Sequence, residues 1–229
     1  MIKLAVNGSL GRMGERILFL AKQTPGVFKI TGGFDREAPS LKLSAESLKG
    51  SDVLIDFSSP EGTSAALKAA LKTNTRLVIG TTGIDANGVK EIQAASKKIA
   101  ILFSPNMSLG VNLTAQVLEM MASRLGTEFK ISMTETHHIH KKDAPSGTAL
   151  MLKKAMAVSG QEIEIKSIRE GEVVGDHTVV FSGPAETIEV THRAHSRDVF
   201  ARGALKAAAF LAAKGKPGKT YSIQDVLRG

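Results

Sequence analysis

The side chains best suited to proton and anion chemistry crowd into one stretch of the chain. All six histidines lie between His137 and His195, and the densest run reads Glu135-Thr136-His137-His138-Ile139-His140-Lys141-Lys142-Asp143-Ala144-Pro145-Ser146-Gly147-Thr148-Ala149. Imidazole titrates near neutrality, so histidine set beside lysine can both bind an anion and move a proton. Three readings compete. In the first, histidine and lysine cations of this run converge on a dianionic substrate and supply its protons. In the second, His138 and His140 share one strand face and hold a metal, although no H-E-x-x-H motif, cysteine or nearby carboxylate set completes such a site. In the third, the run is a solvated basic loop. Ser146-Gly147-Thr148 opens a helical pattern whose first amides offer a place for a carboxylate. Ser146 is equally a plain N-cap. Cations on one side and amides on the other describe a pocket for a compact dicarboxylate.

A second constellation stands near the start. Asn7-Gly8-Ser9-Leu10-Gly11-Arg12-Met13-Gly14 follows a short apolar run and leads straight into a helical pattern. Glycines at a strand-to-helix turn let backbone amides approach a pyrophosphate, and the helix N-terminus adds partial positive charge. Leu10 stands where a strict G-x-G-x-x-G has its second glycine, and a tight βα turn is the plainer explanation. Asp35 lies about 20 residues further on, where an acidic group meets the adenosine ribose of a dinucleotide. Arg36 and Arg12 are placed to pair with a 2′-phosphate, so the choice between NADH and NADPH stays open. Two more loops, Gly80-Thr81-Thr82-Gly83 and Ser104-Pro105-Asn106-Met107, follow apolar runs and line the nicotinamide half of such a site; ordinary turn chemistry also accounts for them.

The elements that must position these groups are of two kinds. Ile2–Val6, Val53–Phe57, Arg76–Ile79 and Ile99–Phe103 are dense in Val, Ile and Leu, as strands buried on both faces of a parallel sheet are. Helical patterns near Glu15–Gln23, Glu61–Lys72 and Ala86–Lys97 separate them, which predicts a doubly wound α/β sheet. After residue 107 the pattern changes. Phe129, Ile131 and Met133 alternate with polar residues, as do Ile163 and Ile165, and Ile188 and Val190, which marks a sheet with one packed face. A helix over Leu109–Leu125 bridges the two parts, with Leu113, Val117, Met121 and Leu125 as its expected apolar stripe. A last helix, Val199–Lys214, stops at Gly215 and Pro217, and the tail packs back on the first domain. The division expected is a dinucleotide-binding domain over 1–106, a substrate-binding and oligomerisation domain over 107–208, and a returning segment over 209–229.

Composition narrows the class. The 229 residues carry a formal charge of +8, are 42% hydrophobic and contain no cysteine, which excludes disulfides and cysteine-ligated zinc. No apolar stretch approaches the roughly 20 residues needed to cross a bilayer, the N-terminus lacks a signal-peptide layout, and a cytoplasmic protein is expected. The positive charge suits nucleic acid or an anionic substrate and cofactor. No helix-turn-helix pattern stands outside the strand–helix alternation, so small anions are the expected partners, without nucleic acid or membrane.

Together the G-x-x-G-R-M-G loop, G-T-T-G, S-P-N-M-S-x-G-V-N, E-x-H-H-x-x-K-x-D-A-P-S-G-T-A and the later Gly175-Asp176-His177-Thr178 and Glu189-Val190-Thr191-His192-Arg193-Ala194-His195 resemble the 4-hydroxy-tetrahydrodipicolinate reductase family, in order along nearly the whole chain. The resemblance implies a Rossmann domain with a smaller α+β domain built on an open mixed sheet, and a homotetramer. It implies NADH- or NADPH-dependent reduction of a small dicarboxylate in lysine biosynthesis. By matching position, His137 is the acid/base residue and Lys141 the proton donor; His138, Ser146, Gly147 and Thr148 hold substrate. Gly8, Ser9, Leu10, Gly11, Arg12, Met13, Asp35, Arg36, Gly80, Thr81, Thr82, Ser104, Pro105, Asn106 and Met107 hold the cofactor. No metal is implied. The stretch from Arg36 to Val53 is short for the family, which bears on adenine-side contacts. His192 and Arg193 are taken as structural or near the rim, not catalytic. The rival functions are a non-catalytic NAD(P)-sensing module and a dehydrogenase of another small substrate.

Overall fold

The computed structural model describes residues 1–229, the side chain of Pro39 excepted. The chain divides into two compact units, residues 1–109 with 198–229, and residues 110–197.

The first unit is a parallel sheet wound on both faces. It contains β1 (Ile2–Asn7), α1 (Arg12–Lys22), β2 (Phe28–Phe34), α2 (Ala45–Leu48), β3 (Val53–Asp56), α3 (Pro60–Thr73), β4 (Arg76–Ile79), α4 (Ala86–Ser96) and β5 (Ile101–Phe103). Strand order is β10-β5-β4-β3-β1-β2, with β10 being Thr220–Tyr221, and all pairings are parallel. Alternate side chains of one strand serve opposite layers. Leu4 and Val6 pack with Ile17 and Leu20 of α1, while Ala5 packs with Ala66 and Ala70 of α3. That is why these strands read as unbroken apolar runs. The order reverses at β1, whose neighbours are β2 and β3, and in such sheets ligands bind beyond the carboxyl ends at this switch point. The helices start where the sequence supplies caps: the Ser59 and Asp85 side chains accept from the amides of Gly62 and Gly88, opening α3 and α4.

The second unit comprises α5 (Leu109–Leu125, from Gly110 onward), β6 (Lys130–His137), α6 (Gly147–Met156), β7 (Glu164–Arg169), β8 (Gly175–Ser182) and β9 (Thr187–Ala194). Its sheet runs β7-β6-β8-β9, parallel between β6 and β7 and antiparallel elsewhere, which is the open mixed sheet expected. Ile131, Met133, Val179 and Phe181 face α5 and α6. The apolar stripe of α5 differs from the expectation. Val111, Ala115, Leu118 and Ala122 are buried, whereas Leu113 is 50% exposed and Val117, Met121 and Leu125 are only partly covered. Small alanines let the helix approach the sheet closely, and counting only the large side chains picked the flank of the stripe.

The last helix, α7 (Asp198–Lys214), belongs to the first unit from its first residue, so the expected boundary at 208 falls inside it. Its Ala201, Ala204, Ala208 and Leu211 complete the core against β1 and β3. The tail returns to the same unit, adding β10 beside β5 and a short α8 (Ile223–Arg228).

Candidate active site

At the switch point of the first unit lies an open cleft of about 550 Å³, lined by Asn7, Gly8, Leu10, Gly11, Asp35, Arg36, Phe57 and Glu61 among others. The loop leading to it is fixed by close backbone approaches. Gly8 has φ +79°, and a Cβ there would overlap the carbonyl oxygen of Phe57; one on Gly14 would overlap the carbonyl oxygen of Gly8. Gly11 is the N-cap of α1, and its lack of a side chain leaves the first amides of the helix without a side-chain acceptor. An uncapped N-terminus beside a cleft suits a pyrophosphate, so these residues fit a dinucleotide. The Asp35 carboxylate accepts from the Leu10 amide at 3.0 Å and from the Glu37 amide at 3.1 Å, tying the loop to the end of β2.

Of the residues expected at the cofactor, Gly8, Leu10, Gly11, Asp35 and Arg36 line this cleft. Ser9, Arg12, Met13, Gly80, Thr81, Thr82, Ser104, Pro105, Asn106 and Met107 do not. Ser9 is buried, Met13 packs on the core, and Met107 lies within it at 1% exposure. The Ser104 hydroxyl donates to the Asn106 carbonyl at 2.7 Å, closing its own turn.

A buried carboxylate that the sequence reading passed over organises the neighbouring loops. Asp56, fully buried at the end of β3, accepts four side-chain hydrogen bonds: from Asn7 Nδ2 (2.7 Å), Ser58 Oγ (2.6 Å), Thr63 Oγ1 (2.5 Å) and Thr81 Oγ1 (2.9 Å). Burial pushes its pKa up, against the pull of these four donors. The Thr81 hydroxyl also accepts from the Ser58 amide, so this threonine of the G-T-T-G loop is held by the protein itself.

The second unit gathers the histidine chemistry on the packed face of its sheet. Glu135 and His137, two residues apart on β6, point the same way, and the carboxylate of Glu135 is ion-paired with Nδ1 of His137. Arg169 of β7 reaches the other oxygen of Glu135 at 2.9 Å. His177 of β8 meets the His137 ring edge-on at a centroid distance of 5.2 Å, and its Nε2 lies 3.2 Å from the Ser146 hydroxyl. Burial lowers the pKa of His137, with Glu135 opposing it. Burial, with His137 next, lowers that of His177 to about 4. Burial pushes Glu135 up, but hydrogen bonds from Arg169 and Ser167 outweigh it and hold the carboxyl below its usual range.

Ligand atoms of Glu135, His137 and His177 lie within 4.8 Å of one another, a spacing that a metal could use. The Arg169 guanidinium already sits on Glu135, and positive charge beside a cation site works against it, so the trio reads as an ion pair with the His177 ring packed edge-on against it. His138 and His140 lie beyond the last residue of β6, so they share no strand face. Their rings are 6.1 Å apart, and exposed His140 is 3.8 Å from Glu172.

Lys141 pairs with Asp143 at 2.9 Å. That pairing, together with the Gly147 amide, draws the Asp143 carboxyl below its ordinary pKa. The N-terminus of α6 and Lys141 thus already share one carboxylate. A Cβ on Gly147 would meet nothing within 4 Å, so the space beside this amide is open. Ser146 serves as the N-cap, accepting from the Ala149 amide at 3.1 Å, and Thr148 follows in the first turn. Glu135 and His177 were not assigned roles from sequence. E-x-H spacing on a strand was the available signal for the first; the second needed β8, whose strand character had gone unread.

Two family models match the chain: the dihydrodipicolinate reductase N-terminus over residues 2–107 and the C-terminus over residues 110–227. A 4-hydroxy-tetrahydrodipicolinate reductase of Paraburkholderia phymatum is 40% identical over 265 aligned positions, covering 99% of each chain; that of Burkholderia lata matches equally. The chain belongs to the dihydrodipicolinate reductase family. Among solved structures, a dipicolinate-bound dihydrodipicolinate reductase from Paenisporosarcina sp. TG-14 superposes with a TM-score of 0.82, 21% identity and 97% coverage of both chains. An aspartate semialdehyde dehydrogenase II from Vibrio cholerae reaches 0.60 at 11% identity, covering 93% and 99% of the two chains. These two likenesses speak for the fold.

Proposed function

We propose that this chain reduces 4-hydroxy-tetrahydrodipicolinate to tetrahydrodipicolinate with NADH or NADPH, on the diaminopimelate route to lysine. The observation that carries this reading is the carboxylate seat at α6. Lys141 and the Gly147 amide hold the carboxylate of Asp143 in the same unit as the Glu135–His137 pair. A substrate carboxylate that displaces Asp143 finds Gly147, Thr148 and the cation of Lys141, and His138 takes the second carboxylate. Ser146 supports this end of the site through its cap and its contact with His177.

The reduced nicotinamide supplies the hydride. Reduction of a conjugated imine leaves electron density that cations stabilise and an acid must quench. His137 and Lys141 are those groups. Gly8, Leu10, Gly11 and Arg12 hold the pyrophosphate, with Ser9 and Met13 shaping that turn from the protein side and Asp35 and Arg36 at the adenosine; Gly80, Thr81, Thr82, Ser104, Pro105, Asn106 and Met107 frame the nicotinamide. Thr81 and Met107 act through backbone, because the hydroxyl of the one and the side chain of the other are already committed. The enzyme works in the cytoplasm as a homotetramer. Among the described residues no helix is long and apolar enough to cross a membrane.

The test follows the loss of NADH or NADPH absorbance while the preceding synthase supplies substrate. Oxidation that requires the synthase product is the expected result, and the two rates give cofactor preference. Folded, nucleotide-binding protein that oxidises neither would point instead to a sensing module.

A further inference from the structure

Glu135 is fully buried on β6, and the ring it touches is held from three strands. Arg169 stands opposite His137 in the β6–β7 register. Its guanidinium is ion-paired with Glu135 and donates to the Ile168 carbonyl at 2.7 Å and to the Asp143 carbonyl at 2.6 Å, so it is anchored from several sides. On β8, Gly175 lies against the opposite edge of the ring. A Cβ there would stand 3.0 Å from His137 Nε2 and 3.3 Å from its Cδ2. Gly175 has no positive φ, so strand geometry does not demand glycine at this position. The neighbouring imidazole does.

We infer that Glu135 is the positioning residue of His137: anchored by Arg169, it holds Nδ1, while Gly175 keeps the surface beside Nε2 clear, so that Nε2 is the nitrogen that takes up and releases the proton. This rests on the reading of His137 as the acid/base residue. An ionised carboxylate only accepts hydrogen bonds, so it fixes the N–H of the neutral ring on Nδ1 and leaves the Nε2 lone pair free. When the ring takes a second proton, that proton resides on Nε2 and passes from there to substrate, and the neutral ring is recharged from water. Glu135 is also the anion that stabilises the charged ring. The other charged or titratable groups around it, Arg169 from β7, His177 from β8 and Lys141 from the following loop, oppose that charge or add none. His192 of β9 stands behind His177, 6.5 Å away ring to ring. Burial lowers the His137 pKa, and Glu135 is the group that opposes it.

The decisive experiment compares wild type with Glu135→Gln, Glu135→Asp, Gly175→Ala and His137→Gln in the full chain. The readouts are kcat/KM against pH, NADH affinity by titration, and the His137 ring nitrogens by NMR. In Glu135→Gln the alkaline limb that reports His137 moves down by about one pH unit, turnover above that limb falls about tenfold, and NADH affinity stays within twofold. Glu135→Asp, which keeps the charge, restores part of the limb. Wild-type NMR shows the neutral ring protonated at Nδ1. Gly175→Ala loses about tenfold in kcat with NADH affinity unchanged, and it decides the matter if the Glu135 variants do not fold. A wild-type limb in Glu135→Gln, wild-type kcat in Gly175→Ala, or a neutral ring protonated at Nε2 overturns the inference. If His137→Gln itself keeps wild-type turnover, the acid/base reading fails; if it is inactive while Glu135→Gln behaves as wild type, only the positioning role fails.

Discussion

A histidine with a pKa near 4 in the folded chain stays neutral where the unfolded chain binds a proton. His177 is such a group, 4% exposed between the His137 ring and Ser146. Its folded pKa is depressed from 6.5, so at pH values between the two the unfolded state holds more protons and unfolding is favoured by acid. Stability is therefore highest above pH 6.5 and is lost as pH falls toward about 4, by on the order of 3 kcal/mol from this one group. Urea unfolding at pH 7.5, 5.5 and 4.5 should show a steeper loss in wild type than in His177→Gln. Equal slopes would assign the acid sensitivity to other groups, such as His192, whose pKa burial also lowers. At this scale the sequence was informative about residue types but not about partners. His137, Lys141 and Gly147 stood out because the proposed catalytic run is contiguous. The contacts from Arg169, Gly175 and His177 come from two other strands, and a single sequence gives no register between strands.

The elements were more legible than their contacts. Strands β1, β3, β4 and β5 announced themselves as apolar runs, and the cap at Ser146 marked the start of α6. β8 escaped because Gly175-Asp176-His177-Thr178 reads as a polar turn, although it is buried at every second residue from Gly175 to Phe181. Asp56 escaped for a related reason. It ends a strand, where aspartate is ordinary, and only the fold brings Asn7, Ser58, Thr63 and Thr81 around it. This carboxylate joins β1, β3, the start of α3 and the G-T-T-G loop, so its removal strands the buried donors of Asn7, Thr63 and Thr81, while Ser58 is exposed to solvent. Each unsatisfied buried group costs about 1–3 kcal/mol, partly relieved by water entering the gap. Asp56→Ala should therefore lose about 3 kcal/mol or more in urea unfolding and weaken NADH binding, since Thr81 and Ser58 lose their anchor. A loss below 1 kcal/mol would mean that the donors find other partners.

Across the whole molecule the chain leaves the first unit at residue 109 and re-enters it at 198, so the last helix completes a core begun nearly 200 residues earlier. Two kinds of interaction hold α7 there. Arg16 and Asp198 form a two-pronged ion pair at 2.7 and 2.8 Å, but the Arg16 side chain is 40% exposed and water screens most of the attraction. The apolar face of α7 is of another order. Leu211 is fully buried with Ala204, Ala207 and Ala208 against Leu4 and Val6, and truncating a buried leucine costs about 2–5 kcal/mol. Leu211→Ala should therefore destabilise the protein several times more than Asp198→Ala. The cores of the two units share no residue, so the damage should stay local: amides of β1, β3 and β4 exchange faster with solvent, while those of β6 and β8 keep wild-type protection. If β6 and β8 lost protection in step with β1, the two units would unfold as one cooperative body, and the separate cores would not be separate in energy.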